Sequence, residues 1–217
     1  MKIFVFDTET TGLPDDRYAP VIATHKWPYI VQLSYLLYDI EKDSVIKSID
    51  KIIKLPKDIK ITKESTNIHK ITDEISSTRG VFLKDELLEF NNTLLEADLI
   101  IGHNIEFDKN MIMVECYRHK IINNFTAAGQ KNNEFCTMKN SINLCKIIKY
   151  NSRGEPYYKY PKLMELHKHL FGTIPDGLHN SMIDILVCLR CYGMMKLEID
   201  LFKREGIIRI LENNSFY

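Results

Sequence analysis

The chain has 217 residues, of which 45% are hydrophobic, 27% charged and 10% aromatic. That composition excludes a disordered chain, a collagen and a disulfide-stapled miniprotein, and it suffices for one core burying roughly 70% of the unfolded surface. Lys+Arg and Asp+Glu both number 29, a net charge of +0, which excludes a histone-like coat of positive charge but leaves local patches open.

Residues 2–6 (Lys-Ile-Phe-Val-Phe) form an apolar run and read as a buried strand. The segment turns acidic at Asp7 without a small-residue cleavage site, so it does not read as a signal peptide. A turn at Gly12–Asp16 and a polar loop to about Lys26 lead to strands over 29–38 and 44–55. Helices are expected over 61–75 and 82–96, the second striped by Leu83, Leu87, Leu88, Leu94 and Leu95. A short strand at 98–102 precedes a helix at 107–119, and further helices are expected at 137–148, 163–171 and 181–197. Residues 149–162 read as a loop, and 198–217 as an extension with one more short helix, packed on the same domain. Strands first, then alternation with helices, predict an α/β domain with a mixed sheet.

No run approaches the roughly 18 apolar residues of a transmembrane helix, so no membrane partner is expected. The five cysteines read as reduced thiols of an intracellular, cytoplasmic protein. Cys188 and Cys191 form a lone CxxC inside an apolar helical run and read as helix packing ahead of a zinc site.

Three acidic sites carry chemistry. Asp7 and Glu9 are two residues apart at the end of a strand, so both carboxylates point to one side. They repel unless a cation joins them, and hard oxygen ligands suit Mg²⁺ or Mn²⁺. A pair of solvated loop acids has the same spacing. Asp108 follows the fourth strand near a helix start, where it also fits an ordinary cap. The third site is His179-Asn180-Ser181-Met182-Ile183-Asp184. In one continuous helix His179 and Asp184 would lie roughly 140° apart. A helix starting near Ser181 instead leaves His179 on the preceding loop, free to act as a general base, with Asp184 facing inward.

Asp7-Thr8-Glu9-Thr10-Thr11-Gly12-Leu13 resembles the first motif of the DEDDh-type (DnaQ-like) 3′–5′ exonucleases. That family includes bacterial proofreading subunits, TREX-type exonucleases, RNase T and oligoribonuclease. His103-Asn104-x-x-Phe107-Asp108 resembles its second motif, and His179 through Asp184 its third, with Ser181 replacing the usual Ala and Ile183 standing where another acid is frequent. The likeness covers about residues 2–197, the exonuclease domain. It implies a ribonuclease-H-like mixed five-stranded sheet flanked by helices. It also implies two Mg²⁺ ions, with Mn²⁺ as substitute: Asp7 shared by both, Glu9 and Asp184 completing one site, Asp108 holding the other. His179 would take the proton of the attacking water. Thr8 and Glu9 would meet the terminal 3′ hydroxyl, Leu13 and Phe107 the last base, and Asn104 would support the site. For Leu13 and Phe107, core packing remains the plain alternative.

Between 139 and 168 lie Lys139, Lys146, Lys149, Arg153, Lys159, Lys162 and Lys168, against Glu155 and Glu165 alone, with Tyr150, Tyr157, Tyr158 and Tyr160 interleaved. This fits a strand-binding edge, and equally a solvated loop. The expected substrate is single-stranded DNA or a frayed 3′ end, trimmed to nucleoside 5′-monophosphates. A 3′–5′ exoribonuclease is the alternative, since the sequence does not fix which sugar is accepted. Two readings of another class are a non-catalytic binding module and a proofreading subunit docked to a polymerase through Leu201, Phe202, Ile207, Ile208 and Ile210.

Overall fold

The computed structural model describes residues 1–16, 18–125 and 133–213; residues 214–217 of the expected extension lie outside them. The strands are β1 (Lys2–Thr10), β2 (Ile30–Asp39), β3 (Ser44–Ile52), β4 (Leu99–Gly102) and β5 (Glu134–Cys136). They form one sheet in the order β3-β2-β1-β4-β5. β1–β2 and β2–β3 pair antiparallel, β1–β4 and β4–β5 parallel. The helices in chain order are α1 (Lys63–His69), α2 (Asp73–Arg79), α3 (Leu83–Leu94), α4 (Ile105–His119), α5 (Thr137–Asn140), α6 (Ile142–Cys145), α7 (Leu163–Phe171), α8 (Ser181–Tyr192) and α9 (Glu205–Asn213). The expected mixed five-stranded sheet flanked by helices is the observed fold.

Strand alternation divides the core in two. Phe4 and Phe6 point to the face covered by α3 and α4, where they meet Tyr35, Phe90 and Phe125. Ile3 and Val5 point to the other face, against Met182, Ile185, Leu186 and Leu189 of α8. Phe90 is fully buried and stands edge-on to Phe4, Phe6 and Tyr35 at 5.1, 5.3 and 5.3 Å. Phe90→Ala is therefore expected to cost about 3–5 kcal/mol. A urea titration would read this as a lower midpoint at an unchanged slope.

Several boundaries differ from the sequence reading. β1 runs on to Thr10, so Asp7 and Glu9 lie within the strand. The expected helix over 61–75 is two helices, because Lys70 adopts a left-handed φ of 64° and the Thr72 hydroxyl caps α2 by accepting the Ile75 N–H. The expected helix over 137–148 is also two short helices, α5 and α6, broken at Ser141, and the second ends at Cys145, where Lys146 turns left-handed with φ 47°. The expected loop over 149–162 contains a hairpin of β6 (Ile148–Tyr150) and β7 (Pro156–Tyr158). Glu134–Cys136, for which the sequence reading expects no strand, is the edge strand β5. The last long helix ends at Tyr192 and closes in a π turn over Gly193–Leu197.

The C-terminal segment buries Leu201, Phe202, Ile207 and Leu211 in the α8-side core, next to Ile3, Val5 and Tyr38. The apolar groups that suggested a docking tail are thus largely spent on the chain's own core; Ile208 and Ile210 are half-buried. Cys188 and Cys191 are buried on α8, with Cys188 Sγ 3.5 Å from Thr137 Oγ1, as packing positions would be. Among the described residues no helix is long and apolar enough to cross a membrane.

Candidate active site

The same alternation that builds the core positions the acids. Asp7 and Glu9 continue the face of Ile3 and Val5, toward α8, while Thr8 continues the face of Phe4 and Phe6, toward α4. Each face then meets one further carboxylate. On the α4 side, the Thr8 N–H and hydroxyl both donate to Asp108 Oδ1, at 3.1 and 2.8 Å. On the other side, the Ser181 hydroxyl donates to the Asp7 carbonyl at 2.8 Å and docks the start of α8 on β1. Asp184, in the first turn of α8, is thereby carried toward Asp7 and Glu9. Ser181 is fully buried and does this tethering with its hydroxyl, a contact that the usual alanine does not supply.

The helix starts where the motif required. Asn180 caps α8, its Oδ1 accepting the N–H groups of Met182 and Ile183 at 3.1 and 3.4 Å. His179 therefore lies on the loop, and its N–H donates to Asp184 Oδ2 at 3.1 Å. That loop is held in left-handed backbone at Gly177 (φ 73°) and His179 (φ 72°). A Cβ at Gly177 would lie 2.4 Å from Ile183 Cδ1 and would sit on left-handed backbone, so glycine is favoured there. Ligand atoms of Glu9, His179 and Asp184 lie within 4.8 Å of one another.

All four carboxylates are raised in pKa, in each case first by burial. Burial pushes Asp7 up to about 7 and Asp184 up to about 8, the latter reinforced by the Asp7 charge. Glu9 is pushed up to about 9, first by burial and then by Asp7, Asp184 and Asp108. Asp108 is raised by burial and by Asp7, against the opposing Thr8 hydrogen bonds. Four acids at a sheet end, each disfavoured as an anion, are a donor set that lacks positive charge. All-oxygen carboxylates with one imidazole alongside fit a hard divalent cation.

Two cavities flank the cluster. One of about 440 Å³ is lined by Thr8, Glu9, Leu13 and Phe107 together with Ile68 and His69 of α1. Leu13 is 84% exposed, so core packing does not explain it; Phe107 is half-buried against the α4-side core. The other, of about 360 Å³, is lined by Asp7, His179 and Asp184 with His103, Tyr160 and Lys162. Asn104 lines neither: its left-handed backbone (φ 69°) turns β4 into α4, and its carbonyl accepts the Phe107 N–H.

The α1 wall and the role of His103 escape a sequence reading, because no local pattern brings these segments to β1. Burial lowers the His103 pKa to about 4, so the ring is neutral. Its Nε2–H then donates to the Pro161 carbonyl at 3.1 Å, and Nδ1 accepts from the Thr137 hydroxyl at 2.9 Å. His69 is likewise buried and lowered in pKa, its Nε2 3.3 Å from the Thr10 carbonyl and its Nδ1 accepting the Ile71 N–H.

Comparison with known proteins bears on the fold and the family. Among solved structures, E. coli exonuclease I in complex with a dT13 oligonucleotide superposes with a TM-score of 0.65 at 18% identity, covering 98% of this chain and 43% of that one. The complex of the same enzyme with dA16 gives 0.65 at 18% identity, covering 93% and 42%. The zinc-ion-bound form of the E. coli enzyme with single-stranded DNA gives 0.64 at 17%, covering 93% and 42%. The chain thus spans less than half the length of these proteins, and the likeness is one of fold. No curated protein sequence matches significantly. The RNase_T family profile, described as Exonuclease, matches residues 4–192 and spans all three acidic motifs. The chain therefore belongs to the RNase_T exonuclease family, the DnaQ-like 3′–5′ exonucleases of ribonuclease-H-like fold.

Proposed function

We propose that this chain removes nucleotides from the 3′ end of single-stranded DNA or frayed duplex ends, releasing nucleoside 5′-monophosphates. The observation that carries this reading is the convergence of Asp7, Glu9, Asp108, Asp184 and His179, from three distant segments, between two cavities able to take a strand end. Asp7, Glu9 and Asp184 would hold one Mg²⁺ and Asp7 with Asp108 a second, Mn²⁺ substituting. Such ions stabilise charge on the attacking and leaving oxygens and ease deprotonation of water.

The chain's own residues do the rest. The His179 imidazole accepts the proton of the attacking water, on a loop whose backbone is fixed by its bond to Asp184. Backbone at Thr8 and Glu9 meets the terminal 3′ hydroxyl, and Leu13 and Phe107 hold the last base by apolar contact, which suits any base. Lys162 offsets phosphate charge from the second cavity. Asn104 supports the site by shaping the β4–α4 turn. Residues 1–197 form the exonuclease unit, with the C-terminal segment packed on it. A polymerase docked through 198–217 is disfavoured by the burial of Leu201, Phe202 and Ile207. The five unpaired cysteines fit a reducing, intracellular setting.

Labelled DNA and RNA strands of one sequence, competing in a single reaction with Mg²⁺, test this. DNA is expected to shorten stepwise from its 3′ end with 5′-monophosphate products. Internal cuts, or no hydrolysis of either strand, would overturn the assignment, and faster loss of RNA would move the substrate to the exoribonuclease alternative. His179→Ala is expected to lower kcat by about 10²–10⁴-fold with divalent-ion binding retained, as calorimetry with Mn²⁺ would show.

A further inference from the structure

The β6–β7 hairpin has an exposed aromatic face that the acidic cluster does not use. Its register pairs Ile148 with Tyr158 and Tyr150 with Pro156, so these four share one face. Ile148, Tyr150 and Tyr158 are 56%, 70% and 46% exposed. A free two-stranded ribbon is marginal in water, yet this one is stiffened at both ends. At its tip, Asn151 Oδ1 accepts the N–H groups of Arg153 and Glu155, Asn151 Nδ2 donates to Glu155 Oε2, and Gly154 takes φ 78°. At its base, the Lys159 N–H donates to the Ile147 carbonyl, the Lys159 ammonium pairs with Glu165, and His103 holds the Pro161 carbonyl.

Position and charge name the occupant. The strand leaving β7 runs directly into Tyr160, Pro161 and Lys162, which line the cavity containing Asp7, His179 and Asp184. Residues 146–162 carry Lys146, Lys149, Arg153, Lys159 and Lys162 against the single acid Glu155. The six residue-to-residue steps from Gly154 to Tyr160 reach roughly 20 Å. Rings for bases, cations for phosphates and continuity with the cluster of acids describe a track for a single strand.

We propose that the β6–β7 hairpin is the platform that holds the single strand leading to the 3′ end, with bases stacked on Tyr150 and Tyr158 and phosphates paired with Arg153 and Lys162. This rests on the exonuclease reading of the adjoining cluster. It makes the enzyme favour strands long enough to reach the hairpin, since a dinucleotide fills the acidic site alone.

The test is the ratio of kcat/KM for a long oligothymidylate to that for the dinucleotide, in the Tyr150→Ala/Tyr158→Ala double variant and in wild type. The ratio is expected to fall on the order of tenfold or more, through KM, and Tyr150→Phe/Tyr158→Phe is expected to restore it. An unchanged ratio, or an equal loss in the Phe pair, overturns the stacking role. Fluorescence anisotropy of labelled DNA and RNA oligonucleotides on the Asp7→Asn protein, with and without the Ala pair, reads binding apart from turnover. Should wild type hydrolyse nothing, the exonuclease reading fails alone, and affinity still decides the hairpin. Weaker binding of either strand in the Ala pair supports the platform; equal binding, or none by the parent, overturns it.

Discussion

Asp7→Asn is expected to abolish turnover while leaving the chain folded. Asp7 is the one carboxylate whose charge acts on all three others, raising Glu9, Asp108 and Asp184. It is therefore the central anion of the cluster, and it is the carboxylate proposed above to serve both ions. The amide keeps the volume and leaves the Asp7 carbonyl to accept from Ser181, so α8 stays docked. What is lost is the charge that would hold the ions, a matter of several kcal/mol of transition-state stabilisation, or a fall in kcat on the order of 10³-fold or more. Single-turnover kinetics with calorimetric Mn²⁺ titration would check it. Turnover within about tenfold of wild type would remove Asp7 from the mechanism.

The metal-free protein is expected to lose stability as pH rises from about 5 to about 9. In the unfolded chain Asp and Glu ionise near pH 4. In the fold Asp7 ionises near 7, Asp184 near 8 and Glu9 near 9, with Asp108 also raised. Across that window the folded state binds more protons than the unfolded state, so unfolding is favoured increasingly with pH. Below about pH 4 both states are protonated and the penalty is absent. The loss should be on the order of a few kcal/mol, because the four groups titrate as one coupled cluster. A divalent cation has the opposite slope: it binds the ionised fold and adds about 2.7 kcal/mol at a hundred times its Kd. Thermal melts across this pH range, with chelator or with Mn²⁺, would show diverging curves. Asp7→Asn should flatten the metal-free curve and raise it at high pH. A chelated protein whose Tm climbs with pH would contradict the cluster's electrostatics.

Both expectations depend on groups whose identity was legible in the sequence and whose proximity was not. The period of two along β1 places Asp7 and Glu9 on one face and Thr8 on the other, and β1 shows that division. A helix start near Ser181 is the reading that separates His179 from Asp184 by a change of backbone instead of a helical angle, and α8 begins there. The mixed five-stranded sheet followed from the resemblance of the three motifs. Elements whose conformation depends on neighbours were misread. The hairpin lies in a stretch too short and polar to show periodicity, β5 is three residues of edge strand, and the helix over 61–75 is broken by a left-handed lysine that no composition rule marks.

The sequence by itself determined the chemical inventory: four carboxylates and a histidine in three ordered motifs, and the alternation that assigns each β1 side chain to a face. Local periodicity can encode this because it repeats within a few residues. Only the tertiary structure decided what those faces meet. The Thr8–Asp108 and Asp7–Ser181 contacts span 100 and 174 residues of chain. The α1 wall, the His103–Pro161 tether and the burial of the C-terminal segment are likewise products of packing. The raised pKa values belong to this second group, for a carboxylate becomes a poor anion only when the fold has removed its water and brought its neighbours near.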